Sequence, residues 1–413
     1  MKATITPGVA KGIVSAPPSK SMAHRMLMGA GLSEGTSVIQ NIDLSEDIKA
    51  TLGILEALGC KYSIEGRTVS MTGIGHRDVR ANTVLNANES GSTLRFFIPV
   101  LLCGGMKCEF VGAKSLFSRP LGIYEDICRE QNIFFHKTEN SLELSGQLKA
   151  THYRIPGNIS SQFITGLLYA LPLLKEDSVL EVLPPIESKA YIEMTLEVLE
   201  IYGIRVERKD NTFYIPGNQT YRATDSVVEG DYSNGAFLDA FNLIGGLVKV
   251  EGLRADSLQG DRIYEEYFRM LQGDARDTAG VSVVDLPHID ISECPDLGPI
   301  LIGMAAANGG AVFTGTRRLK IKESDRGMVM AEELKKFGIQ VDVLENEIII
   351  HPGELRRPTE ILSSHNDHRI AMTLATLCTI TGGTIGGCMA VKKSYPGYYE
   401  TIRNLGIQVE IED

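Results

Sequence analysis

A loose pattern recurs about every 65 to 73 residues along this 413-residue chain. Each unit begins with a short strand after a Gly-rich turn. An amphipathic helix follows, then two short strands. A polar cluster then opens a strongly apolar helix, which usually closes on Gly-Gly. A period of this length marks related structural units packed side by side, not one continuous sheet. The polar clusters begin at Ser19-Lys20-Ser21, Glu89-Ser90-Gly91, Ser160-Ser161-Gln162, Asp231-Tyr232-Ser233, Cys294-Pro295-Asp296 and Asn366-Asp367-His368. The apolar helices that they feed are expected over 26–32, 96–103, 163–174, 236–244, 297–307 and 370–380. Their near-lack of a polar face requires burial on all sides. The amphipathic helices are expected over 47–58, 119–130, 191–202, 262–271, 326–337 and 396–405. Short alternating strands, such as 204–207 and 339–343, are half buried.

Six units divide most simply into two domains of three. The expected fold is therefore α/β (α+β): two similar domains, with apolar helices inside and sheets outside, as in an inside-out barrel, and a cleft between them. The pattern pauses near 222–229. This places one domain at 18–226 and the other at 1–17 with 227–413, the first residues adding a strand to the later half.

The cluster Pro17-Pro18-Ser19-Lys20-Ser21-Met22-Ala23-His24-Arg25 shows why the helix starts matter. Two prolines and a Ser read as a helix N-terminus. Such an end offers unpaired N–H groups and a partial positive charge. With Lys20, Ser21 and Arg25 beside it, the stretch suits a phosphate or carboxylate. Arg95, Arg119, Lys322, Arg326, Arg369 and Lys393 lie in or next to comparable clusters. The chain nevertheless carries a net charge of −11, from 41 basic and 52 acidic residues. That balance argues against a nucleic-acid partner. It is compatible with small anions, provided the cations are gathered locally.

Other chemistries find little support. The seven cysteines form no C-x-x-C, which fits reduced thiols in a cytoplasmic protein. No apolar run reaches the roughly 18 residues of a membrane span, and the N-terminus lacks a signal-peptide core. Asp367 beside His368 is too few ligands for a metal. The other histidines, including His24, His76 and His365, are scattered singly and read as structural. P-loop, dinucleotide and nucleophile-elbow motifs are missing.

Nine motifs in order then carry a resemblance over nearly the whole chain. They are Ser19-Lys20-Ser21 with Arg25, Ser90-Gly91-Ser92 with Arg95, Ser118-Arg119-Pro120, Ser160-Ser161-Gln162-Phe163, Ser188-Lys189-Ala190-Tyr191, Pro295-Asp296, Lys322-Glu323-Ser324-Asp325-Arg326, Asn366-Asp367-His368-Arg369 and Lys393-Ser394-Tyr395-Pro396. Together they resemble the 5-enolpyruvylshikimate-3-phosphate synthase (3-phosphoshikimate 1-carboxyvinyltransferase) family. The resemblance implies two domains of three βαβαββ units. It implies transfer of the enolpyruvyl group of phosphoenolpyruvate to the 5-hydroxyl of shikimate 3-phosphate by a cytoplasmic monomer, with no metal or organic cofactor. By motif, Lys20, Ser21, Arg25, Ser160, Ser161, Gln162, Ser188, Asp296 and Lys322 are the expected shikimate 3-phosphate contacts. Lys20, Gly91, Arg119, Gln162, Arg326, Arg369 and Lys393 are the expected phosphoenolpyruvate contacts.

The chemistry of the residues agrees with this. A ligand with a phosphate and a carboxylate suits several cations, Arg above all. Addition to its double bond needs one proton delivered and one removed. Glu323 is the expected acid and Asp296 the expected base or hydroxyl-orienting group, with Lys20 and Lys393 as further proton carriers. Two departures stand out. Glu89 occupies a position where the family usually has Asn, and Lys320 one where many members have Arg. A sibling transferase acting on UDP-N-acetylglucosamine shares the fold. The Lys20-Ser21 pair, Ser160-Ser161-Gln162 and Asn366-Asp367-His368-Arg369 favour the shikimate enzyme. A non-catalytic anion sensor is the reading from another class, and the two carboxylates Asp296 and Glu323 count against it.

Overall fold

The computed structural model describes residues 1–75, 83–272 and 286–413. His76 lies outside them. The chain separates into two compact units, Lys20–Glu229 and Met1–Ser19 with Gly230–Asp413. Each has its own apolar core.

The unit Lys20–Glu229 holds three inner helices, Lys20–Leu32, Gly91–Cys103 and Ser161–Ala170. The other holds Tyr232–Asp239, Gly298–Ala307 and His368–Thr381. Most residues of all six are buried, as an apolar circumference demands. All but Gly298–Ala307, which opens on a short 3-10 turn at Pro295–Leu297, start earlier than the apolar runs, inside the polar clusters. In four of them the reason is capping. Ser90 accepts from Thr93 N, Ser160 from Gln162 N, Asp231 from Asn234 N and Asp367 from Arg369 N. Each cap satisfies an orphan donor of a first turn, worth about 1 kcal/mol. The charged residues of the clusters consequently ride on the first turns themselves. Helix contact is close: a Cβ on Gly166 would come within 2.5 Å of the Arg95 carbonyl oxygen. Only glycine lets Ser161–Ala170 lie this near Gly91–Cys103.

The outer layer consists of small sheets with one repeated plan. Strand Thr83–Asn88 runs parallel to Lys107–Gly112 across an inner helix. Lys107–Gly112 then pairs antiparallel with Ser141–Ser145, which pairs with Phe134–Lys137. The order β-α-β-α-β-β is the unit that the sequence pattern expressed. The sheet of His152–Pro156, Ser178–Leu183, Thr212–Ile215 and Glu207–Lys209 repeats it. So does that of His288–Asp290, Ala311–Thr314, Glu347–Ile350 and Val341–Val343.

The remaining sheets borrow strands from afar. Ser226–Val227 opens the first, parallel to Glu34–Gln40. Lys11–Ser15 runs parallel to Leu247–Glu251, and these two form a sheet of two strands among the described residues. Lys2–Ile5 lies between Gly383–Gly386 and Val409–Glu412. One correction follows for the expected barrel. The described strands form separate open sheets of two to four strands, and none closes on itself. Helices are inside and sheets outside, but no continuous ladder encircles them.

Candidate functional site

Two groups of polar side chains gather at the inner-helix starts, one in each unit. In Lys20–Glu229, Lys20 Nζ lies 2.8 Å from Asp47 Oδ2. Asp47 comes from the first turn of Glu46–Leu58, where an acid also answers the helix dipole. Sequence reading missed it as a partner. Arg25 is buried. Its Nε donates to Thr195 Oγ1 at 2.9 Å, Nη1 to Ser21 O at 2.8 Å, and Nη2 to Tyr191 O at 3.0 Å and Thr165 Oγ1 at 3.4 Å. It therefore ties together helices Lys20–Leu32, Ser161–Ala170 and Lys189–Ile201. Burial lowers its pKa to about 10. Most of its donors are committed within the protein.

Gln162 is oriented at both ends. Arg95 Nη1 donates to its Oε1 at 2.6 Å, and its Nε2 donates to Ser92 Oγ at 2.9 Å. Arg95 is itself held by the Pro120 carbonyl at 2.9 Å and lies over the Phe163 ring. The Arg119 guanidinium lies against Gly91, so closely that a Cβ there would meet Nη1 at 2.8 Å. Ser160 caps its helix, and Ser161 follows in the first turn. Ser188 is buried in the left-handed region, at φ 55°. A non-glycine there is uncommon and marks a constrained position. Glu89 is half-buried just ahead of the Ser90 cap.

Beneath these groups runs a buried chain of hydroxyls. His24 Nδ1 lies 2.8 Å from Thr51 Oγ1, Thr51 lies 2.7 Å from Thr93 Oγ1, and Thr93 donates to Ser90 Oγ at 2.6 Å. It couples the starts of the first two inner helices. Burial, then Lys20 and Arg25, push the His24 pKa well below its ordinary value, so the ring is neutral. The reading of His24 as structural fits this place.

In the other unit, Arg326 is the centre, with 1% of its surface exposed. Its Nη1 donates to Asp296 Oδ1 at 2.9 Å, its Nη2 to Glu323 Oε2 at 2.8 Å, and its Nε to Asp367 Oδ2 at 2.8 Å. Asp296 also meets Lys322 Nζ at 3.0 Å and Arg369 Nη2 at 3.2 Å. Burial opposes charge on Asp296. Arg369, Lys322 and Arg326 more than offset this and hold its pKa well below the usual carboxylate range. Burial lowers Lys322 to about 8, against the pull of Asp296. Lys393 Nζ donates to Asn366 O at 2.6 Å.

The structure thus brings Asp296, Lys322, Glu323, Arg326 and Arg369 into one connected cluster. Asp367, given no role from sequence, is its buried anchor. Its oxygens accept from Arg326, Ser324 Oγ and Arg369 N. That is the environment of an anion among donors, not of a metal ligand. The motifs named these residues, but the pairing of Arg326 with Asp296 and Asp367, 30 and 41 residues away, has no local signature in the sequence.

A cavity of about 600 Å³ lies elsewhere, between helix Gly122–Glu130 and strand His152–Pro156. Asp126 and Glu130 face Lys149, His152 and Arg154 across it. Its mixed charge does not make an anion trap. Among the described residues no helix is long and apolar enough to cross a membrane.

Comparison with known proteins gives one family along the chain. The family model described as EPSP synthase (3-phosphoshikimate 1-carboxyvinyltransferase) matches residues 6–402. A 3-phosphoshikimate 1-carboxyvinyltransferase of Clostridium kluyveri is 40% identical over 98% of both chains. One of Clostridioides difficile is 38% identical, again over 98% of both. A solved EPSP synthase structure from Acinetobacter baumannii superposes with a TM-score of 0.78, at 24% identity, over 99% of this chain and 100% of that one, and so shares the fold. The chain belongs to the EPSP synthase (3-phosphoshikimate 1-carboxyvinyltransferase) family.

Proposed function

We propose that the protein transfers the enolpyruvyl group of phosphoenolpyruvate to the 5-hydroxyl of shikimate 3-phosphate and releases phosphate. This is the carboxyvinyl transfer of the shikimate pathway, towards chorismate and the aromatic amino acids. The observation that carries the reading is the ionised Asp296 among Lys322, Arg326 and Arg369, all within 3.2 Å of it. Cations gathered this densely in an otherwise acidic chain suit a multiply charged anionic substrate.

The chemistry is addition followed by elimination. The 5-hydroxyl oxygen bonds to C2 of phosphoenolpyruvate, its proton leaves, and the methylene carbon gains a proton. The tetrahedral adduct then loses that proton and the phosphate, which restores the double bond. Asp296 is too acidic to hold a proton at neutral pH, so it suits accepting a hydrogen bond from the 5-hydroxyl and orienting it. Lys322, at about 8, changes charge near neutrality and suits passing the proton on. Glu323, paired with Arg326, is assigned the proton delivery to the methylene, with Lys20 and Lys393 beside the phosphate. Fixed cations at the developing charge stabilise the adduct and the leaving group.

Lys20, Ser21, Arg25, Ser160, Ser161, Gln162, Ser188, Asp296 and Lys322 are assigned to shikimate 3-phosphate. Lys20, Gly91, Arg119, Gln162, Arg326, Arg369 and Lys393 are assigned to phosphoenolpyruvate. Arg25 is expected to act mainly by holding Ser21, Tyr191 and Thr165 in place. The two units act as the two domains of one enzyme, which works as a monomer in the cytoplasm. Free cysteines, nearly all buried, fit that compartment.

The test is phosphate release from phosphoenolpyruvate with each acceptor. Release that requires shikimate 3-phosphate, and not UDP-N-acetylglucosamine, supports the reading. Release with neither leaves an anion sensor. A Glu323→Gln protein that binds both substrates and keeps full turnover removes Glu323 from the acid role.

A further inference from the structure

Glu333 is wholly buried, yet the reaction as described does not use it. It lies on helix Arg326–Lys336, seven residues after Arg326 and so two turns along the same face. Both side chains meet the segment 363–369. Arg326 holds its far end through Asp367, at 2.8 and 3.3 Å. Glu333 holds its near end: Oε2 accepts from Ser363 N at 3.0 Å, and Oε1 lies 2.8 Å from His365 Nε2. Lys336 supplies the counter-charge, with Nζ 2.8 and 3.0 Å from the two oxygens.

Between these anchors the backbone turns through two successive left-handed residues, His365 at φ 47° and Asn366 at φ 56°. Neither is glycine. Asn and His enter this region more readily than most residues, but two in succession persist only where their surroundings hold them. The turn aims the Asn366 carbonyl at Lys393 Nζ and seats Asp367 as the cap that receives Arg369 N. The placement of both Lys393 and Arg369 thus depends on a bend that Glu333 and His365 hold.

Glu332, Glu333 and His365 also bring three possible metal-ligand atoms within 4.8 Å of one another. The Lys336 ammonium already sits on both Glu333 oxygens, and a cation would have to displace it. The geometry is that of a buried ion pair with a structural partner.

We propose that Glu333 is a positioning residue for the reaction: with His365 it sets the 363–369 turn, and thereby the aim of Arg369 and Lys393 at phosphoenolpyruvate. The inference rests on the assignment of those two cations in the proposed function. It is tested with the full chain carrying His365→Asn or Glu333→Gln, by initial rates with each substrate varied in turn and by thermal denaturation. Asn tolerates the left-handed backbone and is too short to reach Glu333. Full loss of a hydrogen bond to a charged group corresponds to about 10- to 150-fold, and partial loss of aim to about tenfold. His365→Asn is therefore expected to raise KM for phosphoenolpyruvate about tenfold while KM for shikimate 3-phosphate stays within about twofold. Glu333→Gln is expected to do the same or more, and the double variant to add little to it, since the two residues act through one turn. An unchanged KM for phosphoenolpyruvate in His365→Asn overturns the proposal, as does an equal rise for both substrates. If Glu333→Gln fails to fold, His365→Asn decides alone, because its side chain is 24% exposed and carries little of the core. No turnover in the unaltered protein overturns the functional reading, and this inference with it.

Discussion

Gly91 is the position where one methyl group separates folding from binding. A Cβ there comes 2.8 Å from Arg119 Nη1, 3.0 Å from Cζ and 3.1 Å from Nη2. Ordinary carbon contacts lie near 3.5–4.0 Å, so the guanidinium must retreat by about 1 Å. The obstacle is the far end of a flexible side chain, so the backbone keeps its place. Alanine in a helical position is favoured over glycine by roughly 0.5–1 kcal/mol. Gly91→Ala should therefore fold at least as well as the parent. Its penalty falls on the anion that Arg119 binds. A hydrogen bond to a charged group is worth about 1.5–3 kcal/mol, which is about 10- to 150-fold in binding. The assay is initial-rate phosphate release with phosphoenolpyruvate varied at saturating shikimate 3-phosphate, beside a melting curve. KM for phosphoenolpyruvate should rise by that factor with the melting temperature unchanged or slightly higher. A folded variant with its KM unaltered would refute the reasoning. So would an equal rise in KM for shikimate 3-phosphate.

Three further outcomes follow from buried charge. Burial raises the Asp261 pKa from the ordinary 3.8 to about 7, so the folded protein favours the protonated acid, and the stability tied to it is full below 3.8 and is lost as pH rises from there to about 7; urea denaturation should find Asp261→Asn more stable than the parent at pH 8, with the difference shrinking steadily as pH falls through 5. His24 behaves in the opposite sense: its folded pKa lies well below the ordinary 6.5, so stability present above that value is lost as pH falls. The parent should therefore lose stability between pH 8 and pH 5, and His24→Gln, compared with it by urea denaturation, should flatten that part of the slope. Asp367→Asn removes one of the three carboxylates that hold Arg326, with Asp296 and Glu323 still beside it, and should cost about 1.5–3 kcal/mol by urea denaturation; a loss below about 0.5 kcal/mol would contradict the place given to that pair.

Four of the six polar clusters were legible because a capping side chain has to precede the helix it caps. Ser90, Ser160, Asp231 and Asp367 are visible as such in one dimension. The apolar run after Arg25 marks only the most buried part of its helix, so the start at Lys20 lay hidden behind residues whose charge reads as surface. Strands that complete sheets from a distance were harder. Ser226–Val227 is two residues long, and its partner is near residue 40. The ion pairs of the site were out of reach altogether. Lys20 meets Asp47 across 27 residues and Arg326 meets Asp367 across 41, and no periodicity links them. Arg25 shows the same limit from the other side. Its place beside a helix start suggests a ligand, but only the fold reveals that Thr195, Tyr191 and Ser21 already receive its donors.

The central claim concerns one carbon–oxygen bond. Phosphoenolpyruvate labelled with carbon-13 at C2 and C3, incubated with the protein and shikimate 3-phosphate, can be followed by carbon and phosphorus NMR together. The account predicts an enol ether on the 5-oxygen and inorganic phosphate appearing in equal amounts, with neither formed when shikimate 3-phosphate is left out. Phosphate without the enol ether, or unchanged phosphoenolpyruvate in the presence of both substrates, would contradict it.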